Sequence, residues 1–186
     1  MRKIIAYDLV TVDGFFAGTD GEIDWHNVDT EFNDFAIKQL KEEAGLLLFG
    51  RTTYELMANY WTSEQAVKND PIVSGLMNNA SKIVFSTSLE KAEWNNTKLF
   101  KEIKTDELAK LKQGLDKSIF IFGSGQIVYE FTKLGLVDEY RLMINPITLG
   151  SGKPLFNEKV KLRLLKVKEF KNGSVLLNYE PVRFGI

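Results

Sequence analysis

Residues 118–134 read SIFIFGSGQIVYEFTKL. Ser118 to Phe122 is a short apolar run, which is typical of a strand buried on both faces. The turn Gly123-Ser124-Gly125 follows directly, and Ile127 to Leu134 then has the residue spacing of a helix. A strand that passes through a glycine-rich turn into a helix is the repeating unit of folds with a parallel sheet. This stretch therefore predicts the α/β fold class.

Other parts of the chain repeat this order of strand, turn and helix. The predicted strands are Lys3 to Leu9, Leu46 to Phe49, Ile83 to Phe85 and Glu139 to Ile144. The predicted helices run from Glu31 to about Glu43, from Thr52 to Met57 and from Asp106 to Gln113. Near the end of the chain, Asn172-Gly173 separates two alternating runs and predicts a hairpin. We expect a single three-layer α/β/α domain over residues 1–186, with a mostly parallel central sheet and an antiparallel C-terminal hairpin.

Composition limits the chemistry that the chain can supply. Its 186 residues include no cysteine and one histidine, His26. Thiolate catalysis, disulfides and cysteine-ligated metals are excluded, and a histidine-based triad would depend on that one residue. We predict no metal site. An enzyme with this composition must use carboxylates, hydroxyls, lysine, backbone dipoles or a bound cofactor.

The charge balance argues against nucleic-acid binding. The chain has 24 Lys and Arg residues against 25 Asp and Glu, a formal net charge of -1, whereas neutralising a phosphate backbone requires a basic surface. No stretch approaches the roughly 20 apolar residues of a membrane span, and the apolar N-terminal stretch is too short for a signal peptide. We expect a cytoplasmic protein with no nucleic-acid or membrane partner.

Three polar or glycine-rich turns follow predicted strands: Gly50-Arg51-Thr52-Thr53, Ser86-Thr87-Ser88 and Gly123-Ser124-Gly125-Gln126. The carboxyl ends of parallel strands share one edge of the sheet, where ligands bind. Glycines let the backbone approach a pyrophosphate, helix N-termini present free N–H groups, and an arginine fork suits a phosphate monoester. Each turn is also a common structural connection. Together they indicate a dinucleotide, and Arg51 favours its 2′-phosphorylated form.

Two of these turns carry a resemblance to a known superfamily. Leu48 to Glu55 resembles the Gly-Arg-x-Thr segment of dihydrofolate reductases, and Phe122 to Tyr129 is similar to their glycine triplet and following helix. Other segments resemble the C-terminal reductase domain of the riboflavin-biosynthesis enzyme: Thr11 to Gly14, Val137 to Tyr140, Pro146, Leu149-Gly150 and Gly152 to Phe156. The similarity runs in order over nearly the whole chain.

The resemblance implies a dihydrofolate reductase-like fold and a reductase that uses NADPH. It places Arg51 and Thr52 at the adenosine phosphate, Ser86 and Ser88 near the adenine ribose, and Gly123 to Ile127 on the pyrophosphate. The full set of cofactor residues expected from it is Ala6, Gly50, Arg51, Thr52, Ser86, Thr87, Ser88, Gly123, Ser124, Gly125, Gln126 and Ile127. It also implies a homodimer built on the sheet edge or the C-terminal strands.

The implied substrate is a small heteroaromatic molecule, pyrimidine-like or pteridine-like. The expected substrate contacts are Trp25, Phe32 and Tyr54. Phe122 stands where the riboflavin reductase typically has Glu, and Trp25 lacks the preceding Pro of the folate enzyme. A nucleotide-binding protein of the same fold without turnover is therefore the alternative. The paired-cysteine segment of the associated zinc deaminase is absent, so deamination is excluded.

A hydride reductase also needs a proton source, and a buried carboxylate suits that task because desolvation raises its pKa. The candidate catalytic residues are Asp13, Asp29 and Asp34, with Asp24 nearby. The resemblance implies a single carboxylate on the helix that follows the mobile loop of the folate enzyme. Counted back from Gly50, Asp34 has the spacing of that carboxylate, whereas Asp29 is closer to its position relative to Trp25, so the equivalent is either of them or neither. Each also has a plain structural interpretation: a turn at Asp13-Gly14, a helix N-cap at Asp29 and a solvated helix position at Asp34. His26 is expected in a loop, with substrate contact as the alternative.

Overall fold

Apolar runs and helical periodicities alternate along the chain, and a computed structural model describes the resulting fold over residues 2–182. Its elements, in chain order, are β1 (Ile4–Thr11), β2 (Phe15–Ala17), α1 (Thr30–Glu42), β3 (Ala44–Gly50), α2 (Arg51–Trp61), α3 (Glu64–Asn69), α4 (Pro71–Asn79), β4 (Lys82–Phe85), β5 (Thr97–Phe100), α5 (Thr105–Gly114), β6 (Ser118–Phe122), α6 (Gly125–Lys133), β7 (Glu139–Asn145), β8 (Lys153–Pro154), β9 (Leu162–Glu169) and β10 (Val175–Pro181). None of the helices in this range is long and apolar enough to cross a bilayer.

Eight of the described strands form one sheet in the order β5-β4-β3-β6-β1-β7-β10-β9. The first six are parallel to one another, whereas β10 runs antiparallel to both β7 and β9. Gly173, at the turn between β9 and β10, has a φ of 86°, which explains the Asn-Gly dipeptide there. The predicted parallel sheet with an antiparallel C-terminal hairpin is confirmed.

The side chains of β1 alternate between two cores, one on each face of the sheet. Ile4 and Ala6 belong to the core beneath α5 and α6, whereas Ile5 and Tyr7 belong to the core beneath α1, α2 and α4. Helices therefore cover both faces of the sheet. This arrangement confirms the predicted three-layer architecture.

Several short elements were not predicted from the sequence. The helix α4 contains Ser74 and Gly75, which are poor helix formers, and the strand β5 has only four residues at the sheet edge. The strands β2 and β8 pair with each other outside the main sheet, and neither was among the predicted strands. Tertiary packing stabilises these elements where local sequence preference is weak.

The strands β1 and β6 separate near their carboxyl ends, and the candidate site described below lies at this point. Their pairing ends at Tyr7 and Phe122, but β1 continues and pairs with β7 as far as Thr11 and Asn145. The chain turns from β6 into α6 at this point. One edge of β1 is therefore left open beside the N-terminus of α6, in the middle of the sheet.

Candidate active site

A cavity of about 590 Å³ opens at the carboxyl ends of β1, β3 and β6. Its walls are the end of β1, the loop that follows β2, the first turn of α2, the turn into α6 and the β8 segment. This is the edge of an α/β sheet at which ligands bind. The cavity is therefore the candidate site, and its chemistry depends on the residues that line it.

The turn between β6 and α6 is shaped by backbone conformation. Gly123 has a φ of 55°, and a Cβ at this position would lie 3.3 Å from the Cγ2 of Thr53. Ser124 has a φ of 60°, which is uncommon for a residue other than glycine. Its hydroxyl accepts a 2.9 Å hydrogen bond from the backbone N–H of Gly50, at the start of α2. This contact joins the two turns that line the cavity.

Gly125 begins α6 and lies against β2. A Cβ at this position would approach the ring of Phe16 to 2.5 Å, so a larger residue would displace that ring. The N–H groups of Gly125 and Gln126 lie in the first turn of the helix, where no intrahelical acceptor exists. Both residues line the cavity. The backbone of α6 therefore offers donors to a ligand.

Two helix N-termini point their positive ends toward the same cavity. In the described chain, neither α2 nor α6 has a side-chain N-cap or an acidic residue in its first turn. The partial positive charge of each helix N-terminus is therefore not compensated by a local carboxylate. Uncapped N–H groups next to glycine form a site suited to phosphate or pyrophosphate.

Arg51 connects this cavity to a second one. The second cavity, of about 480 Å³, is lined by Arg51 together with Ser86, Thr87, Ser88 and Lys101. The Arg51 side chain is 49% exposed and pairs with Glu55 at 3.2 Å. The residues expected at the adenosine phosphate and ribose are thus brought together on one side of the main cavity.

Most of the cofactor residues expected from the sequence line these two cavities. Those at the main cavity are Gly50, Arg51, Thr52, Gly123, Ser124, Gly125 and Gln126. Ile127 lies beneath the turns, 3.1 Å from the position that a Cβ on Gly50 would take. Ala6 is fully buried in the core, and its side chain contacts neither cavity.

The three candidate catalytic carboxylates lie outside the main cavity. Asp13 is exposed and accepts hydrogen bonds from the Thr11 hydroxyl at 2.6 Å and the backbone N–H of Gly150 at 2.8 Å. These bonds, that from Thr11 first, lower the pKa of Asp13. Asp29 caps α1 by accepting a 2.8 Å bond from the N–H of Phe32, and Asp34 is exposed on that helix. All three have the structural roles that were the alternative interpretation.

The expected substrate contacts also lie outside the main cavity. Tyr54 is buried, and its hydroxyl accepts a 2.8 Å hydrogen bond from the backbone N–H of Trp94. Phe32 packs against the core beneath α1. The ring of Trp25 meets that of His26 edge to face, with centroids 4.6 Å apart. Of the two, His26 lines the cavity.

Two buried polar side chains, Asp8 and Tyr7, and the half-buried His26 line the cavity and were not identified from the sequence as its catalytic groups. Asp8 is 1% exposed and Tyr7 is 4% exposed. Both Asp8 oxygens, the Tyr7 hydroxyl and the Nε2 of His26 have no hydrogen-bond partner among the described residues. Burial raises the pKa values of Asp8 and Tyr7 well above their ordinary range and lowers the pKa of His26 to about 4. The sequence feature that could have identified Asp8 is its position as an aspartate within an otherwise apolar strand.

Comparison with known proteins identifies the domain family and supports the fold described above. Residues 2–176 match the RibD C-terminal domain. The chain is 32% identical over 183 residues to the uncharacterized Bacillus subtilis (strain 168) protein YyaP, covering 96% of this chain and 94% of that protein. A candidate riboflavin biosynthesis protein from Shewanella sp. PV-4 has a TM-score of 0.74 at 22% identity, over 98% of this chain and all of that one. Dihydrofolate reductase from Enterococcus faecalis, complexed with NADP(H), has a TM-score of 0.60 at 17% identity, over 96% of each chain. The two solved structures show a shared fold.

Proposed function

The chain belongs to the RibD C-terminal domain family, and on this basis we propose that it is an NADPH-dependent reductase of a small pyrimidine-like or pteridine-like substrate. The observation that carries the proposal is the convergence of two uncapped helix N-termini, a glycine turn and Arg51 on one cavity. The same cavity contains polar groups that have no hydrogen-bond partner among residues 2–182. The first three features suit a phosphorylated dinucleotide, and the last suits a polar heteroaromatic ring.

The residues present fit such a cofactor. Gly123 and Gly125 expose backbone beside the N-terminus of α6, where a pyrophosphate would bind. Arg51 and Ser86 would bind the adenosine phosphate and ribose, since they line the adjoining cavity. When bound, the cofactor supplies a hydride. The tasks of the protein are to bind the cofactor and the substrate, to orient them relative to each other and to exclude water.

The open edge of β1 provides a second set of backbone groups. The N–H of Asp138 donates to the carbonyl of Ile4. Because the direction of the backbone groups alternates along a strand, the N–H and C=O groups of Ile4, Ala6 and Asp8 face β7. The backbone of Leu9 faces the other side, beyond the last residue of β6. Leu9 lines the cavity, and its N–H and C=O would offer a ligand a donor and acceptor pair, which suits a carboxamide or a ring amide.

Apolar side chains surround these polar groups. They come from β2, from the loop that follows it and from α2, and they are Phe16, Ile23, Leu56 and Met57. Such a wall excludes water from a bound ring and strengthens each hydrogen bond at the site. The cavity therefore combines an apolar lining with a few convergent polar groups, as small-molecule sites generally do.

Nucleotide binding followed by acceptor reduction tests the proposal. NADPH is expected to raise the melting temperature more than NADH at equal concentration. NADPH absorbance is then followed with 7,8-dihydrofolate, 5-aminouracil derivatives and flavins as acceptors, and oxidation that depends on one acceptor supports a reductase. The absence of a thermal shift with either nucleotide would overturn the proposal.

One observation favours the alternative of a nucleotide-binding protein without turnover. Asp13, Asp29 and Asp34, the carboxylates expected from the sequence to act on the substrate, all lie outside the main cavity. NADPH binding without acceptor-dependent oxidation across the same panel would support this second function.

We also propose the homodimer implied by the family resemblance, with β9 at the interface. β9 is an edge strand of the main sheet, and its side chains Leu164, Leu165 and Val167 are 50%, 43% and 47% exposed. An edge strand with exposed apolar side chains is suited to pairing with another chain. A second copy of this chain would cover both the edge and these side chains.

A further inference from the structure

Two buried carboxyl groups lie on neighbouring strands, and they differ in their hydrogen-bond partners. Glu139 on β7 is 3% exposed and is held by Lys3 at 2.6 Å, Arg141 at 2.7 Å and Asn178 at 3.0 Å. Asp8 on β1 is 1% exposed, and neither of its oxygens has a hydrogen-bond partner within residues 2–182. A carboxyl group with a purely structural role would be expected to have the partners that Glu139 has.

An unpaired carboxylate in this position would be costly. Moving an ionised carboxylate out of water without a partner costs at least several kcal/mol, so the group takes up a proton instead. Burial accordingly raises the pKa of Asp8 well above its ordinary range. The neutral acid has one O–H donor and an acceptor oxygen. In the free protein both remain available to a ligand, because Asp8 lines the main cavity.

The other ionisable groups at the cavity do not compete for this role. Tyr7, on the opposite face of β1, has a pKa raised by burial, so its hydroxyl is a poorer acid than usual. His26 has a pKa of about 4 because of burial, so its ring is neutral at pH 7. Arg51 and Lys153 are exposed cations at the rim. Among the groups that line the cavity, Asp8 is the carboxyl group that burial favours in its protonated form.

We propose that Asp8 is the proton donor of the site: a neutral carboxylic acid that gives its proton to a ring nitrogen of the substrate. This inference rests on the proposed reductase function. In the step, the substrate carbon of a C=N bond accepts the hydride, and the π electron pair of that bond forms the new N–H bond with the proton from Asp8. The O–H bond of Asp8 breaks, and solvent later returns a proton to the carboxylate. Overall, one hydride and one proton are added to the substrate.

Because the site has a low dielectric constant, the pKa of Asp8 responds strongly to a charge nearby. A positive charge nearby stabilises a carboxylate and lowers its pKa. The nicotinamide ring is neutral in NADPH and positive in NADP⁺. If a nicotinamide ring binds next to Asp8, this carboxyl group would keep its proton while the ring is neutral and would give it up more readily once the ring is positively charged.

The first test measures the proton on Asp8 in the free protein. Infrared difference spectra of the wild type minus Asp8→Asn at pH 7 are expected to show the carbonyl stretch of a protonated carboxyl group. The matched control Asp116→Asn changes a fully exposed side chain outside both cavities, and its difference spectrum should show an ionised carboxylate. Asn has the size of Asp and is neutral, so the fold is expected to be retained, and the melting temperature checks this. An ionised Asp8 at pH 7 would overturn the inference.

The second test measures proton release on nucleotide binding. Titration calorimetry of NADP⁺ and NADPH, in buffers with different ionisation enthalpies, counts the protons exchanged. The two nucleotides carry the same phosphates, so their difference reports the charge of the nicotinamide ring. We expect NADP⁺ to release close to one proton more per site than NADPH in the wild type and in Asp116→Asn, and no difference in Asp8→Asn.

The two tests separate the inference from the proposed function. An equal proton count for NADP⁺ and NADPH in the wild type, with both bound, would overturn the role of Asp8 and leave the reductase proposal intact. If neither nucleotide binds, the reductase proposal fails and the donor role fails with it, whatever the infrared spectrum shows.

Discussion

The backbone N–H of Gly50 donates a 2.9 Å hydrogen bond to the hydroxyl of Ser124, and this contact joins the turns that begin α2 and α6. The two turns come from strands on adjacent positions of the sheet, β3 and β6. Ser124 adopts a left-handed backbone conformation, with a φ of 60°, while making this bond. A conformation of this kind in a residue other than glycine is retained when the surrounding structure requires it.

Replacement of Ser124 tests this contact. Ser124→Ala removes the hydrogen bond and is expected to lower the free energy of unfolding by about 1 kcal/mol, measured by urea denaturation. Ser124→Gly removes the same bond but relieves a left-handed conformation that costs about 1 kcal/mol, so its stability should be close to wild type. Both variants should bind NADPH more weakly, because the turns are no longer joined. Wild-type affinity in both would contradict the role given to this bond.

Arg51→Ala is expected to remove the preference for NADPH over NADH. A charge-assisted bond to phosphate contributes about 1.5–3 kcal/mol, so the dissociation constant for NADPH should rise about 10- to 100-fold while that for NADH changes little. Glu55→Gln is the informative control, because Glu55 pairs with Arg51 at 3.2 Å in the structure. Releasing that pair should leave NADPH binding unchanged or tighter. Equal loss of both nucleotides in Arg51→Ala would place the arginine elsewhere than at the 2′-phosphate.

His26 is expected to make the fold sensitive to acid. Burial lowers its pKa from 6.5 to about 4. Above pH 6.5 the ring is neutral in both the folded and unfolded chain, whereas between 6.5 and 4 the unfolded chain binds a proton that the folded chain does not. Stability therefore falls as the pH falls through this window, by about 1.4 kcal/mol per pH unit.

Urea denaturation at pH 7.5 and pH 5 measures this effect. The difference in unfolding free energy between the two pH values should be about 2 kcal/mol smaller in His26→Gln than in the wild type, since glutamine does not titrate. An unchanged difference would show that the folded protein binds the proton as readily as the unfolded chain does.

The parts of the fold and of the site that could be predicted from the sequence are those determined by residues that are adjacent in the chain. The strand, turn and helix from Ser118 to Leu134 and the hairpin at Asn172-Gly173 are local patterns, and both correspond to elements of the structure. The proposed anion site at the turn from β6 into α6 could be predicted for the same reason, since Gly123 and Gly125 need no distant partner to expose their N–H groups.

The role of Asp8 could not be predicted in this way. Its burial depends on how other segments pack around the cavity, among them Phe16 of β2 and the turn at Gly125, which lies more than 100 residues away in sequence. In a strand pattern, one aspartate is equally compatible with an exposed edge. Asp13, Asp29 and Asp34 have more conspicuous positions in the sequence, but local hydrogen bonds and exposure explain them. Burial without a partner is a property of the tertiary structure.

Lys82 is expected to be important for stability although it lies outside the site. Its side chain is buried, and its ammonium group donates to the carbonyls of Met77 at 2.8 Å and Ala80 at 2.7 Å, at the end of α4. It also lies 4.5 Å from the ring centre of Trp94. Lys82→Met leaves these carbonyls without a donor and should lower the unfolding free energy by about 2–3 kcal/mol in urea denaturation. The control Lys98→Met, at an exposed position on β5, should change it by no more than about 0.5 kcal/mol.

The proposed dimer predicts a clear response to charge on β9. A bulge in the pairing of β9 and β10 sets Leu164 opposite Tyr179 and Val167 opposite Leu177, so these four side chains share one face of the hairpin. Leu164 and Val167 are about half exposed, so burying the rest of each contributes about 1 kcal/mol, whereas a lysine there would oppose association. Light scattering of the wild type should give a dimer, and the double variant Leu164→Lys/Val167→Lys should give a folded monomer. Thr97→Lys, on the opposite edge strand β5, should remain a dimer. A monomeric wild type at micromolar concentration would contradict the proposal, and a dimeric double variant would place the interface elsewhere.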